Sequence, residues 1–163
     1  MGYFLLKRII KLFIFISSFF LFIPTIKEYE YKRKVKRIIK ENNNTYLGYI
    51  SIPKFNYENV IDNKDNALDN NQIYLTDFSD KIGGNNIVLA GHNNRYVFNK
   101  IYYLNVGDSI IISDFNMDYL YEVIDSKYIN VDDFDSLKID NSLILLTCSS
   151  DNQKRYIVIS IRK

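Results

Sequence analysis

The chain has 163 residues, a formal net charge of +2, one cysteine and one histidine. That length holds one domain of ordinary size with a small appendage. The charge is too small to imply a nucleic-acid partner, and a single cysteine excludes an intramolecular disulfide framework and a cysteine-rich zinc site.

Residues 1–27 read as an N-terminal signal anchor or transmembrane segment. Lys7, Arg8 and Lys11 precede an uncharged run, residues 12–26, that is 15 residues long. A spanning helix prefers ~20 residues, and Lys11 and Lys27 can snorkel to lengthen the span. Pro24-Thr25 offers no Ala-x-Ala cleavage site, so the segment reads as an uncleaved anchor and not as a removed leader. A buried core helix fits the basic flank less well. Charge does not orient the segment outward: seven Lys and Arg residues between Lys27 and Lys40 follow it. By number alone they would hold the C-terminal side in the cytoplasm.

Residues 28–45 read as a polar helical stalk, with Val35, Ile38 and Ile39 on one face and Asn42-Asn43-Asn44 at its end. From Tyr46 the pattern changes to short strands. They are predicted at 46–52, 58–62, 86–91, 108–113, 119–129, 143–148 and 155–161, separated by turn signals such as Gly83-Gly84-Asn85 and Val106-Gly107-Asp108. Stretches at 67–74 and 95–104 are expected to be short helical crossovers. Many short strands with few long helices predict a mainly β fold, a small closed barrel of about eight strands over residues 46–163.

Two apolar strand-like runs carry the chemistry. Asn86-Ile-Val-Leu-Ala-Gly-His92 ends on the only imidazole, and Ser142-Leu-Ile-Leu-Leu-Thr-Cys148 on the only thiol. If the fold joins them, they form a nucleophile and its acid/base partner. Arg155 opens the next strand, sharing parity with Ile157, Ile159 and Ile161. An arginine heading an apolar face is costly unless it has a partner or points into a cleft. There it can stabilise an oxyanion. Thr147 and Asn93 are candidate substrate-binding wall residues. A lone Cys on such a strand is more commonly a buried hydrophobe; the surrounding motifs argue otherwise.

Those motifs, in order, resemble the sortases, cysteine transpeptidases of Gram-positive cell envelopes. Leu47-Gly-Tyr-Ile-Ser-Ile-Pro-Lys54 is similar to the opening strand and its Ile-Pro-Lys turn. Asn86 to Asn93 resembles the histidine strand, and Leu104-Asn-Val-Gly-Asp-Ser-Ile110 the Leu-x-x-Gly-Asp-x-Ile hairpin. Leu145-Leu-Thr-Cys148 resembles the nucleophile motif, with Leu143 where a threonine usually stands. Arg155-Tyr-Ile-Val158 resembles the arginine strand.

The resemblance implies a sortase-type barrel with Cys148, His92 and Arg155 as catalytic residues. It implies cleavage of a Leu-Pro-x-Thr-Gly-like sorting signal and transfer of the acyl group to an amine of a cell-wall precursor or a pilin. The domain would then lie outside the cytoplasmic membrane, held by its N-terminal anchor. The short segments after Asn130 and Cys148 fit a compact class A- or D-like member. No cofactor or metal ligand is expected; Asp132, Asp133 and Asp135 resemble a class A calcium site, but three acids in a loop are more commonly just solvated. The competing reading is a non-catalytic, membrane-anchored sortase-like protein that binds peptides. A papain-like hydrolase is disfavoured because such families place Cys before His.

Overall fold

The computed structural model describes residues 2–41, 45–64, 66–149 and 151–163, with side chains of the N-terminal helix described at Arg8, Lys11 and from residue 23 onward. The chain divides into two compact units, residues 1–34 and 35–163. A single helix, α1, runs over Gly2–Glu41, so the predicted anchor and stalk share one helical backbone. Val35 is buried, and Ile38 and Ile39 are half-buried. No helix among the described residues is long and apolar enough to cross a membrane. Most side chains of the predicted anchor, and Asn42 to Asn44, lie outside the described residues.

Eight strands close into a barrel: β1 Gly48–Ile52, β2 Tyr57–Asp62, β3 Ile73–Leu75, β4 Asn86–Ala90, β5 Ser109–Ser113, β6 Asp118–Asn130, β7 Ser142–Cys148 and β8 Lys154–Arg162. Around the barrel the order is β1-β2-β3-β4-β7-β8-β6-β5. Closure between β1 and β5 requires a glycine, because a Cβ on Gly48 would lie 1.9 Å from the Ser113 carbonyl oxygen. Only β2–β3 and β4–β7 run parallel.

Strand alternation sorts the apolar residues into two clusters. Ile50, Ile87, Leu89, Leu143, Leu145 and Val158 belong to the large cluster that fills the barrel. On the other face of the same strands, Val88, Ile144, Ile157 and Ile159 form a smaller cluster with Ile129 and Leu137. Strands β4 and β7 are thus apolar on both faces, which explains their unbroken hydrophobic runs.

A bulge in β6 decides what joins that outer cluster. Val123 pairs with Ser160 and Asp125 with Ile159, leaving Ile124 as the extra residue. The bulge inverts the alternation downstream. Tyr121 and Val123 point into the barrel, whereas Ile129 packs outside with Ile144 and Ile157.

Both predicted crossovers differ from expectation: neither 67–74 nor 95–104 is an α-helix. The first is one turn closed by Asn71 in the left-handed region at φ 57°. The Gln72 N–H donates to Ala67 O, and the Asn71 N–H to Leu68 O. This paired cap stops helix growth, and Ile73–Leu75 is released to pair with β2 and β4 as an unpredicted strand. The second crossover is a run of turns with one 3-10 turn at Ile101–Tyr103.

Two motifs that carry no chemistry are joined here. Lys54, in the turn after β1, donates to Asp108 Oδ2 at 2.7 Å and to the Tyr103 carbonyl at 2.8 Å. The same carboxylate accepts the Asn105 N–H at 2.7 Å. These bonds hold the Asp108 carboxyl below its ordinary range, the Asn105 N–H foremost and Lys54 next. A depressed carboxylate adds stability above its unfolded pKa and loses it as pH falls through the folded value. Asp108→Asn is therefore expected to lower the urea midpoint at neutral pH, with the gap from wild type closing on acidification; a gap that widens in acid would contradict this.

Candidate active site

The parallel pairing of β4 with β7 matches Asn86 to Ser142 and Ala90 to Leu146. Parallel strands end at the same rim, so Gly91-His92 and Thr147-Cys148 emerge side by side. The antiparallel return into β8 then places Arg155 opposite Cys148. Three residues separated in sequence converge through two strand pairings.

They line one cleft of about 180 Å³ together with Ala90, Leu146 and Leu68. Arg155 Nη1 donates to Cys148 Sγ at 2.9 Å. This is the partner that an arginine at the head of an apolar face needs, and the bond gains charge assistance once the sulfur is anionic. A guanidinium carries five N–H donors, so the contact leaves others for an oxygen forming beside the sulfur. His92 is exposed at the mouth, and Cys148 and Arg155 are half-buried. Among the described residues no hydrogen bond joins His92 to Cys148.

Of the two residues expected to form a substrate wall, Thr147 lines the cleft and Asn93 stands beside it. Thr147 is buried, and its hydroxyl donates to the Gly91 carbonyl at 2.7 Å. It lines the cleft floor, with its polar group committed to the strand beside it. The Asn93 side chain donates to the Tyr102 hydroxyl at 3.2 Å, and Tyr102 donates to the Cys148 carbonyl at 2.8 Å.

Gly91 is required by close approach. A Cβ there would come within 2.5 Å of Val97 and 2.6 Å of Phe98. The segment after His92 folds back over the strand end, and only a glycine leaves room.

A second hollow, of about 330 Å³, shares Ala90, Leu146 and Arg155 with the cleft. Ile129 and Leu137 give it apolar walls, and Phe78 and Phe134 meet edge to face at 6.0 Å beside it. Sequence reasoning did not find this groove or Tyr102. The groove depends on the β6 bulge and on residues 131–141 folding back. Tyr102 reaches the site from the stretch expected to be a short helical crossover, which the structure forms as turns with one 3-10 turn.

The three acids do not converge. Asp133 accepts both the N–H and the hydroxyl of Ser136, and Asp135 pairs with Lys138 at 2.8 Å. No group of three metal-ligating side chains lies together among the described residues.

A closed eight-stranded barrel thus carries thiol, imidazole and guanidinium at one rim. A family model, the sortase domain, matches residues 50–162, and the chain belongs to that family. Its fold is similar to sortase C1 from Streptococcus agalactiae, at 28% identity and a TM-score of 0.67, over 74% of this chain and 68% of that one. It is also similar to a Clostridium perfringens sortase D5 transpeptidase, at 25% identity and a TM-score of 0.67, over 83% of this chain and 98% of that one. Listeria monocytogenes sortase A shares the fold at 21% identity and a TM-score of 0.66, over 74% and 88% of the two chains. No match was found among curated proteins.

Lysine cannot reproduce the planar fork of Arg155. On the expectation that Arg155 stabilises an oxyanion, Arg155→Lys slows the reaction of Cys148 with an acyl donor by about 10²–10³-fold, the cost of losing such a donor. The check is the rate of acyl-enzyme formation followed by mass spectrometry. Near-normal turnover would transfer the role to another cation such as Arg95 or Arg162.

Proposed function

We propose that this chain is a cysteine transpeptidase that cleaves a Leu-Pro-x-Thr-Gly-like sorting signal and joins the acyl fragment to an amine. The observation that carries the reading is the 2.9 Å contact of Arg155 with Cys148 in the cleft that His92 also lines. Family membership supports it.

In this reading the Cys148 sulfur, as thiolate, attacks the carbonyl carbon of the scissile peptide bond. An S–C bond forms and the oxygen becomes an oxyanion beside the Arg155 guanidinium. The C–N bond then breaks, and protonated His92 gives its proton to the leaving amine. The thioester is resolved by an incoming amine, whose proton returns to His92 as the sulfur leaves. The apolar hollow next to Arg155 suits the leucine side of the signal, because Ile129, Leu137 and Leu146 offer it an apolar wall. The acceptor would be a cell-wall precursor or a pilin lysine. The connection over residues 131–141 holds only a 3-10 turn, at Asp135–Leu137, which favours a compact A- or D-like member.

That chemistry requires an extracytoplasmic domain, so we also propose that residues 1–27 anchor it in the membrane and residues 28–45 act as a stalk. The lone cysteine supplies a topology test. In intact cells Cys148 is expected to react with a membrane-impermeant thiol reagent; reaction only after lysis would place the domain inside.

For the activity, the wild-type chain is to be incubated with a library of sorting-signal-like peptides and an amine. The expected products are an acyl-enzyme on Cys148 and a new amide. Cys148→Ala should form neither while keeping its urea midpoint. A Cys148 that is inert to a thiosulfonate when folded and reactive when unfolded would point instead to the non-catalytic reading.

A further inference from the structure

His92 and Cys148 stand on adjacent strand ends, yet no bond between their side chains sets their separation among the described residues. Backbone and loop contacts must do so. One set lies before His92: the Gly91 N–H donates to Leu146 O at 3.0 Å, and the Thr147 hydroxyl to Gly91 O at 2.7 Å. After His92 the chain leaves the rim, and it returns through the 3-10 turn at Ile101–Tyr103. There the Tyr102 hydroxyl donates to the Cys148 carbonyl at 2.8 Å and accepts from Asn93 Nδ2 at 3.2 Å.

We propose that Tyr102 is a positioning residue whose hydroxyl ties the backbone of Cys148 to the residue that follows His92, and so fixes the thiol relative to its proton partner. This rests on Cys148 being the nucleophile. A phenol has one donor hydrogen and acceptor lone pairs. Here the donor is spent on the Cys148 carbonyl and a lone pair on Asn93, and each bond polarises the other. The ring itself is held by stacking on Tyr156, at 4.4 Å between centroids and 27° between planes. Tyr156 is in turn the cross-strand partner of Thr147. Burial foremost, with Tyr128 and Cys148 nearby, pushes the Tyr102 hydroxyl above its ordinary range. It therefore remains protonated, and a donor, at neutral pH. Thr147 and Asn93 gain a common explanation: each locks one side of His92 to the nucleophile strand.

The test uses the full chain and three variants. Tyr102→Phe keeps the ring and its stacking and loses only the hydroxyl. Its kcat for peptide-to-amine transfer is expected to fall about tenfold, the effect of one neutral hydrogen bond, with KM unchanged. Asn93→Ala is expected to lower kcat less. The double variant should be no slower than Tyr102→Phe alone, because both act through one hydroxyl. Urea midpoints confirm that every variant is folded under assay conditions. An unchanged kcat in Tyr102→Phe, a loss expressed wholly in KM, or full additivity of the two substitutions would overturn the inference. Failure of the wild type to acylate on Cys148 would instead sink the transpeptidase reading, so the two failures are distinguishable.

Discussion

The site depends on one pairing, the parallel register of β4 with β7. These strands meet across 56 positions of chain, as the Thr147–Gly91 bond between their ends shows. Parallel strands begin together and end together. Their two terminal residues therefore share a rim without any local signal that they should. A slip of one residue would reverse the facing of Cys148 and every other β7 side chain. Leu143 and Leu145 inside, with Ile144 outside, make such a slip costly, since each is fully buried on its own side.

Because alternation puts Cys148, Leu146 and Ile144 on one parity, the candidate site lies on the outer face of the barrel. The interior is filled by the large cluster of buried side chains. The outer cluster serves two purposes. Ile144, Ile157 and Ile159 anchor the strands from outside, while Ile129, Leu137 and Leu146 remain available as the wall of a groove that leads to Arg155. The β6 bulge is the device that makes this possible. It brings Ile129 to the outer face while leaving Tyr128 edge to face with Tyr156 at 5.0 Å.

Around His92 the protein uses backbone and hydroxyl contacts in place of a carboxylate. The loop is fastened at Gly91 by a strand bond and at Tyr102 by a phenol. Gly91 also lets Val97 and Phe98 pack against the strand end. The rim is thus rigid on the sulfur side, where Arg155 bonds the thiol, and open on the imidazole side. Such an asymmetry suits the proton-transfer role proposed for His92.

Much of this was legible in the chain. Local composition and period-two alternation indicated seven of the eight strands, the lone thiol and imidazole at the ends of two apolar runs, and the arginine opening the next. Those features depend on near neighbours in sequence. What was missed depends on distant ones. β3 is only Ile73–Leu75 and exists because β2 and β4 flank it, after Asn71 halts a helical turn. Thr147 and Asn93, expected as substrate-wall residues, turn their hydroxyl and amide to Gly91 and Tyr102. The sequence by itself determined which chemical groups are present and that each lies at or close to a strand end, because alternation is a local property. The tertiary structure alone decided that they meet, which groove they face and what holds them, because strand register, the bulge and the returning loop are settled by packing between segments far apart in the chain.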